Sequence, residues 1–204
     1  ANANLIAVSA YTDDEAAAQG GAIYVFRFDG QNWGQEGKLL PWDAHAREWC
    51  GFAVAVHGEI VVAGACGDSH AGELCGAAYV FEHDGRTWQG RAKLMASDAK
   101  PIMCLGGSVA FDGHRALIGA DSEQANVGAA YIFAGLSDCD NSGRLDLCEI
   151  AASQAADRNH NGQPDRCEPF GQRLSRNTTS YGDEVFLGAP DDVAGILGTS
   201  TVEI

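Results

Sequence analysis

Positive charge is scarce in this chain. Thirteen lysines and arginines stand against 28 aspartates and glutamates, a formal charge of -15 over 204 residues. Such a field repels a phosphate backbone and attracts cations, which argues against nucleic acid as a partner. Long apolar runs are missing as well, since none approaches the roughly 20 residues of a membrane-spanning helix. No convincing helical periodicity precedes residue 145. The catalytic patterns HExxH, GxSxG and CxxC are absent. The histidines (His45, His57, His70, His83, His114 and His160) are scattered, mostly in turn-like surroundings. Carboxylate pairs of the glycosidase kind depend on a separation that chain order does not define. An enzymatic reading therefore has no constellation to start from.

What is present is a turn-rich globular composition. There are 26 glycines, 46% hydrophobic residues and only 20% charged ones, too apolar for a disordered chain. The length suits one sizeable domain, or a core with a small module. Seven cysteines fit an oxidising compartment, and the odd number leaves at least one thiol free or paired outside the chain. The chain opens on Ala1 with no visible signal peptide, as expected of a mature product or an excised fragment.

Self-similarity organises the rest. Gly21-Ala22-Ile23-Tyr24-Val25-Phe26 returns as Gly76-Ala77-Ala78-Tyr79-Val80-Phe81, and again as Gly128-Ala129-Ala130-Tyr131-Ile132-Phe133, at spacings of 55 and 52 residues. A second element precedes each copy: residues 5–10, 60–65 and 116–120, with a fourth version at 185–190. Short β-branched and aromatic runs broken by His57-Gly58, Asp29-Gly30 and Asp84-Gly85 are hairpin signals. Four antiparallel strands in 50–55 residues make one propeller blade. The expected fold is all-β, about 3.5 such blades, part of a larger or assembled propeller because a blade cannot bury both faces alone.

On these residues the chain resembles the FG-GAP repeat family, the blades of the integrin α-subunit propeller and of secreted bacterial proteins. Phe170-Gly171 followed by Gly188-Ala189-Pro190 spells the family signature, with Gly51-Phe52 and Gly106-Gly107 at the matching places. The resemblance implies calcium sites in the loops after the GA element. Here those loops hold Asp13-Asp14-Glu15, Gly67-Asp68-Ser69, Asp121-Ser122-Glu123 and Asp191-Asp192 without alternating acidic ligands, so solvated loops are expected.

The third unit lacks the Trp and Lys-Leu segment and runs instead into a twelve-residue stretch, 138–149. Asp138, Asp140, Ser142, Asp146 and Glu149 fall at loop positions 1, 3, 5, 9 and 12, with Gly143 at 6 and the Arg144 carbonyl at 7. That is the EF-hand arrangement: calcium takes six to eight hard oxygens, and the glycine permits the sharp turn. The pattern repeats with Asp157, Asn159, Asn161, Asp165 and Glu168, with Gly162 at position 6 and Gln163 in the place of Arg144. Two bound calcium ions are expected, with a short alanine-rich helix at 150–156 between the loops. Such pairs resemble dockerin and thrombospondin type 3 modules. The implied organisation is propeller repeats at 1–136, a paired calcium insert at 137–168 and an incomplete final repeat at 169–204.

Cys66 and Cys75 flank one loop and are the first candidates for a disulfide, while Cys50 and Cys104 each precede a first strand and could pair if blade ends converge. Cys139, Cys148 and Cys167 surround the calcium loops. Trp33 and Trp88, at matched positions, read as blade-packing residues; Trp42 and Trp49 are open between packing and a sugar- or protein-binding face. The functional expectation is a secreted or surface calcium-stabilised binding or scaffold module. Its partner would be an extracellular protein or glycan. Carbohydrate binding or processing, and a structural part that self-associates to complete the propeller, are the alternatives.

Overall fold

The computed structural model describes residues 4–121, 128–137, 145–151, 153–154, 156–157, 164, 196–198 and 200–202. Strands β1 (Leu5–Ala10), β2 (Ala22–Phe28) and β3 (Trp33–Leu39) form one antiparallel sheet. Strands β4 (Cys50–His57), β5 (Ile60–Ala65), β6 (Ala77–His83) and β7 (Trp88–Ala96) form the second. Strands β8 (Leu105–Phe111), β9 (Ala116–Ala120) and β10 (Ala129–Phe133) begin the third. A helix, α1 (Asp146–Ala151), and two short strands, β11 (Ile196–Gly198) and β12 (Ser200–Val202), follow.

The sheets are blade-like, and the all-β expectation holds. The count of four antiparallel strands per blade holds only in part. β11 lies parallel against β7, making a five-stranded sheet. β12 pairs antiparallel with β10, on the edge that β3 occupies beside β2 and β7 beside β6. An exposed strand edge is a row of unpaired amides and carbonyls, and pairing satisfies it. The helix also lies earlier than expected. It spans 146–151 rather than 150–156, with Asp146 and Glu149 in its first turn where carboxylates favour the helix dipole. Ser153 just beyond it takes φ 56°, which ends the helical path.

The turns form for a shared reason. Asp29 accepts amide hydrogen bonds from Gln31 and Asn32, Asp84 from Arg86 and Thr87, and Asp112 from His114 and Arg115. In each case an Asx turn closes the hairpin.

Two apolar slabs hold the sheets together. Strand residues alternate faces, so within β5 Val61 and Ala63 point one way and Ile60 and Val62 the other. Val61, Ala63, Tyr79 and Phe81 on the front of the second blade pack against Leu5, Ile23, Val25 and Leu39 on the back of the first. Ile60, Val62, Val80 and Leu94 on the back of the second blade pack against Ala116, Ile118, Tyr131 and Phe133 on the front of the third. Each of these aliphatic side chains, fully buried, contributes about 1.5–3 kcal/mol.

A repeated backbone ladder sets the spacing between blades. The amides of Arg47, Trp49 and Cys50 donate to the carbonyls of Ala18, Gln19 and Gly20. One repeat later those of Ile102, Cys104 and Leu105 donate to Glu73, Leu74 and Cys75. Gln19, Arg47 and Trp49 have positive φ, and so do their counterparts Leu74, Ile102 and Cys104. The ladder ends in parallel bridges, Gly21 to Cys50 and Gly76 to Leu105. These two glycines are required, because a Cβ at either would overlap the facing carbonyl oxygen.

That ladder also decides the disulfide. Cys66 pairs with Cys104, Cα atoms 4.4 Å apart, and neither the Cys66–Cys75 nor the Cys50–Cys104 pairing occurs. Cys66 opens the loop that leaves β5, and the linker to the third blade passes over that loop's start. The bond therefore staples one blade to the next rather than closing a loop within one. Cys50 and Cys75 are buried thiols. Cys139 and Cys167 lie outside the described residues.

Candidate functional site

The linkers and the long loops after β1 and β5 share one end of the blades, and there the first blade interface holds a buried charged cluster. Lys93 on β7 is 2% exposed. Its Nζ lies 2.5 Å from Asp68 Oδ2, 2.8 Å from Asp43 Oδ2, 3.6 Å from Glu48 Oε1 and 2.8 Å from His70 Nδ1. The ammonium also stands 4.9 Å from the centre of the Tyr79 ring. Asp43 and Glu48 come from the linker between the first two blades, Asp68 and His70 from the loop after β5. The expectation that the acidic loop residues are solvated fails at Asp68, which is almost wholly buried, as is Glu48 on the linker. Asp13, in the equivalent loop of the first blade, is half-buried and paired with Lys38 at 2.8 Å.

Proton placement follows from counting. The Tyr79 hydroxyl has one proton and donates to Asp43 Oδ1 at 2.6 Å. It also donates to Glu48 Oε1, so the one hydroxyl proton serves both carboxyl groups. Burial, reinforced by the shared hydrogen bond with Asp68, pushes Glu48 up to about 7. Burial acts on Asp68 in the same sense, but the Glu48 hydrogen bond and Lys93 outweigh it and hold Asp68 below the usual carboxylate range. The pair shares one proton near neutrality, as closely spaced carboxyls do.

The raised Glu48 value ties stability to pH. The folded state holds this proton at pH values where the unfolded chain has released it. The stabilisation is thus complete below the unfolded value of 4.5 and disappears as pH rises through about 7. Glu48→Gln copies the protonated carboxyl. Between pH 5 and pH 8.5 the wild type is expected to lose about 2 kcal/mol more than this variant, measured by urea unfolding at each pH. Parallel pH profiles for the two proteins would refute it.

The repeat separates what the fold demands from what this site adds. Asp13, Tyr24 and Lys38 precede Asp68, Tyr79 and Lys93 by 55 residues each, and in both blades the lysine meets the aspartate. Asp43 and Asp98 are likewise 55 apart and accept from Tyr79 and Tyr131 at 2.6 and 2.8 Å. These clasps belong to the architecture. Glu48 does not, because its counterpart one repeat on is Met103, fully buried in the second slab with Leu136 and Leu145.

Glu48, Asp68 and His70 offer ligand atoms within 4.8 Å of one another, close enough to share a metal ion. The Lys93 ammonium already sits against all three, so the cluster carries its own cation. Beside it an open surface depression is lined by Leu40, Pro41, Trp42, Asp43 and His45. Trp42 packs edge-on to Tyr79 and Phe81 and lies over Gly90. Its indole therefore belongs to the blade interface. Trp49 is half-buried in the ladder, its Nε1 3.5 Å from Gln19 Oε1.

Trp88 is the packing residue it was expected to be, lying against the first slab with Nε1 donating to Glu36 at 3.0 Å. Trp33 is not: it is 46% exposed, because no described blade covers the face it occupies.

Of the expected calcium ligands, three are described. Asp146 is buried and accepts from the Ser137 hydroxyl at 2.9 Å, Glu149 is buried one helical turn on, and Asp157 is half-buried. Asp138, Asp140, Ser142, Arg144, Asn159, Asn161, Gln163, Asp165 and Glu168 lie outside the described residues, as does the Gly171 to Pro190 signature.

Chain order alone missed Glu48, Asp43, His70 and Lys93. The shared 55-residue spacing of the Asp, Tyr and Lys positions was the available signal for the clasp. Nothing comparable marked Glu48. Compared with known families, residues 33–81 and 88–133 match the FG-GAP repeat. No curated protein matches the chain.

Proposed function

We propose that this chain, in which two FG-GAP repeats support kinship with the integrin-like propellers, is a secreted or cell-surface binding and scaffold module stabilised by calcium. The observation that carries the reading is the linker–loop ladder. It recurs hydrogen bond for hydrogen bond at two blade interfaces while the side chains it presents differ. Loops held this way on a rigid frame are free to diverge in what they recognise.

The Cys66–Cys104 bond supports an oxidising, extracellular setting. The partner is a protein that meets the loop face. Trp42 is half-buried and packs edge-on against Tyr79 and Phe81, so less of its ring is free for sugar stacking.

Calcium would be held by the paired loops 138–149 and 157–168. The two described carboxylates of the first loop, Asp146 and Glu149, stand three apart on one helix and so share a face. They are hard oxygen donors of the kind calcium takes. The ion would order a segment that has little core of its own, linking binding to folding.

Calorimetric titration of the metal-stripped protein with calcium, against a magnesium control, is expected to saturate near two ions per chain. The Asp138→Ala, Asp157→Ala double variant is expected to lose that heat. An unchanged titration in the double variant would reject the insert as the calcium site.

A further inference from the structure

In each described blade one backbone bond closes on the same repeat position. The carbonyls of Asn4, Glu59 and His114, each 55 residues after the last, accept from the amides of Phe28, His83 and Leu136 at 2.9, 2.9 and 3.1 Å. That contact belongs to the architecture. The third blade extends it through side chains toward the calcium loops. His114 Nδ1 lies 3.0 Å from Ser137 Oγ, and the Ser137 hydroxyl donates to Asp146 Oδ2 at 2.9 Å. A hydroxyl has one proton and the carboxylate takes it, which assigns the donor role to His114 Nδ1. The Asp146 amide returns to the Ser137 carbonyl at 2.6 Å. Ser137 and Asp146 are therefore tied twice, by side chain and by backbone.

Packing fixes the same two points. Leu136 and Leu145, the chain neighbours of Ser137 and Asp146, are at most 1% exposed and join Ile118, Tyr131 and Phe133 in the second slab. Both flanks of the stretch between them are thus anchored on the third blade. The helix that Asp146 opens also carries Glu149, at position 12 of the first calcium loop, buried in the same first turn. The second loop has Ala156 at the place of Ser137, a residue with no hydroxyl to give.

We infer that Ser137 and His114 are positioning residues for calcium in the first loop, holding the Asp146 carboxylate on the third blade before the ion arrives. Groups that orient a metal ligand from behind typically carry about 10–100-fold of affinity. A carboxylate already in place also loses less freedom on binding. The two sites are then unequal, because the relay serves one of them. The inference rests on the calcium reading above and adds which of the two loops the propeller itself organises.

Calorimetric titration of the metal-stripped chain with calcium tests it, with the wild type beside Ser137→Ala, Ser137→Thr and His114→Ala. In Ser137→Ala one site is expected to weaken by about 10–100-fold while the other keeps its affinity. Ser137→Thr retains the hydroxyl and is expected to bind as the wild type does. His114 is exposed, so His114→Ala probes the relay without opening the core, and the same site is expected to weaken by less. The double variant His114→Ala, Ser137→Ala should match Ser137→Ala, because the histidine acts through the hydroxyl and the two losses do not add.

Two sites of wild-type affinity in both Ser137→Ala and His114→Ala would overturn the inference and leave the calcium reading standing. Equal weakening of both sites, or no rescue by threonine, would mean general damage to the insert and also overturns it. A wild type that takes up no calcium removes the calcium reading, and the inference with it.

Discussion

Replacing Lys93 with methionine is expected to cost about 3–5 kcal/mol of folding stability at neutral pH, despite close similarity in side-chain volume. The ammonium is held by both Asp68 and Asp43, and it is nearly inaccessible to solvent. Its removal leaves carboxylates buried against one another, and an uncompensated buried charge is among the most costly defects a core can carry. The loss is not expected to come from packing, since Met103 and Leu145 fill the corresponding slab one repeat on.

Two further measurements separate charge from shape. Adding Asp68→Asn to Lys93→Met should recover at least half of the loss. Lowering the pH toward 4 should shrink it, because the carboxylates then take up protons. Urea unfolding of the three proteins at pH 7 and pH 4 decides the matter. A loss below about 1 kcal/mol at pH 7 would show that water, rather than Lys93, satisfies these carboxylates.

Gly76→Ala is expected to be among the most damaging single-methyl additions in the described residues. Gly76 has φ 78°, where an L side chain costs about 1–2 kcal/mol. A Cβ there would also overlap the Leu105 carbonyl oxygen. Relief would require opening the Gly76–Leu105 bridge that ends the ladder, so overpacking adds about 1–3 kcal/mol. The sum, about 4 kcal/mol, corresponds to a fall of about 8–16 °C in Tm for a domain of this size.

Gly85→Ala supplies the comparison. Gly85 also has positive φ, 89°, but nothing lies within 4 Å of its notional Cβ. Only the conformational cost of about 1–2 kcal/mol is expected there. Equal melting temperatures for the two variants would show that the ladder gives way freely and does not define the blade spacing.

How much of this was legible in advance depends on the range over which the signal acts. Strand order and turn positions were readable because alternation and Asx turns are local: Asp84-Gly85 closes its hairpin whatever surrounds it. The repeated clasp was half legible, since Asp13, Tyr24 and Lys38 return as Asp68, Tyr79 and Lys93 at one spacing. The disulfide was misread because proximity along the chain suggested Cys66 and Cys75. Pairing depends on where the next linker passes, and that linker carries Cys104. Trp33 was misread for the complementary reason. Its repeat position matches that of Trp88, but burial belongs to the neighbouring blade and not to the position.

By itself, then, the order of residues determined an all-β chain of repeated blades, its hairpins and its acidic character, because these follow from side-chain period, turn chemistry and composition. Only the tertiary structure decided which acidic residues are buried, which cysteines join and which apolar faces stay open. Those outcomes depend on groups some 20 to 55 residues apart being brought within a few ångströms, and no local preference encodes that distance.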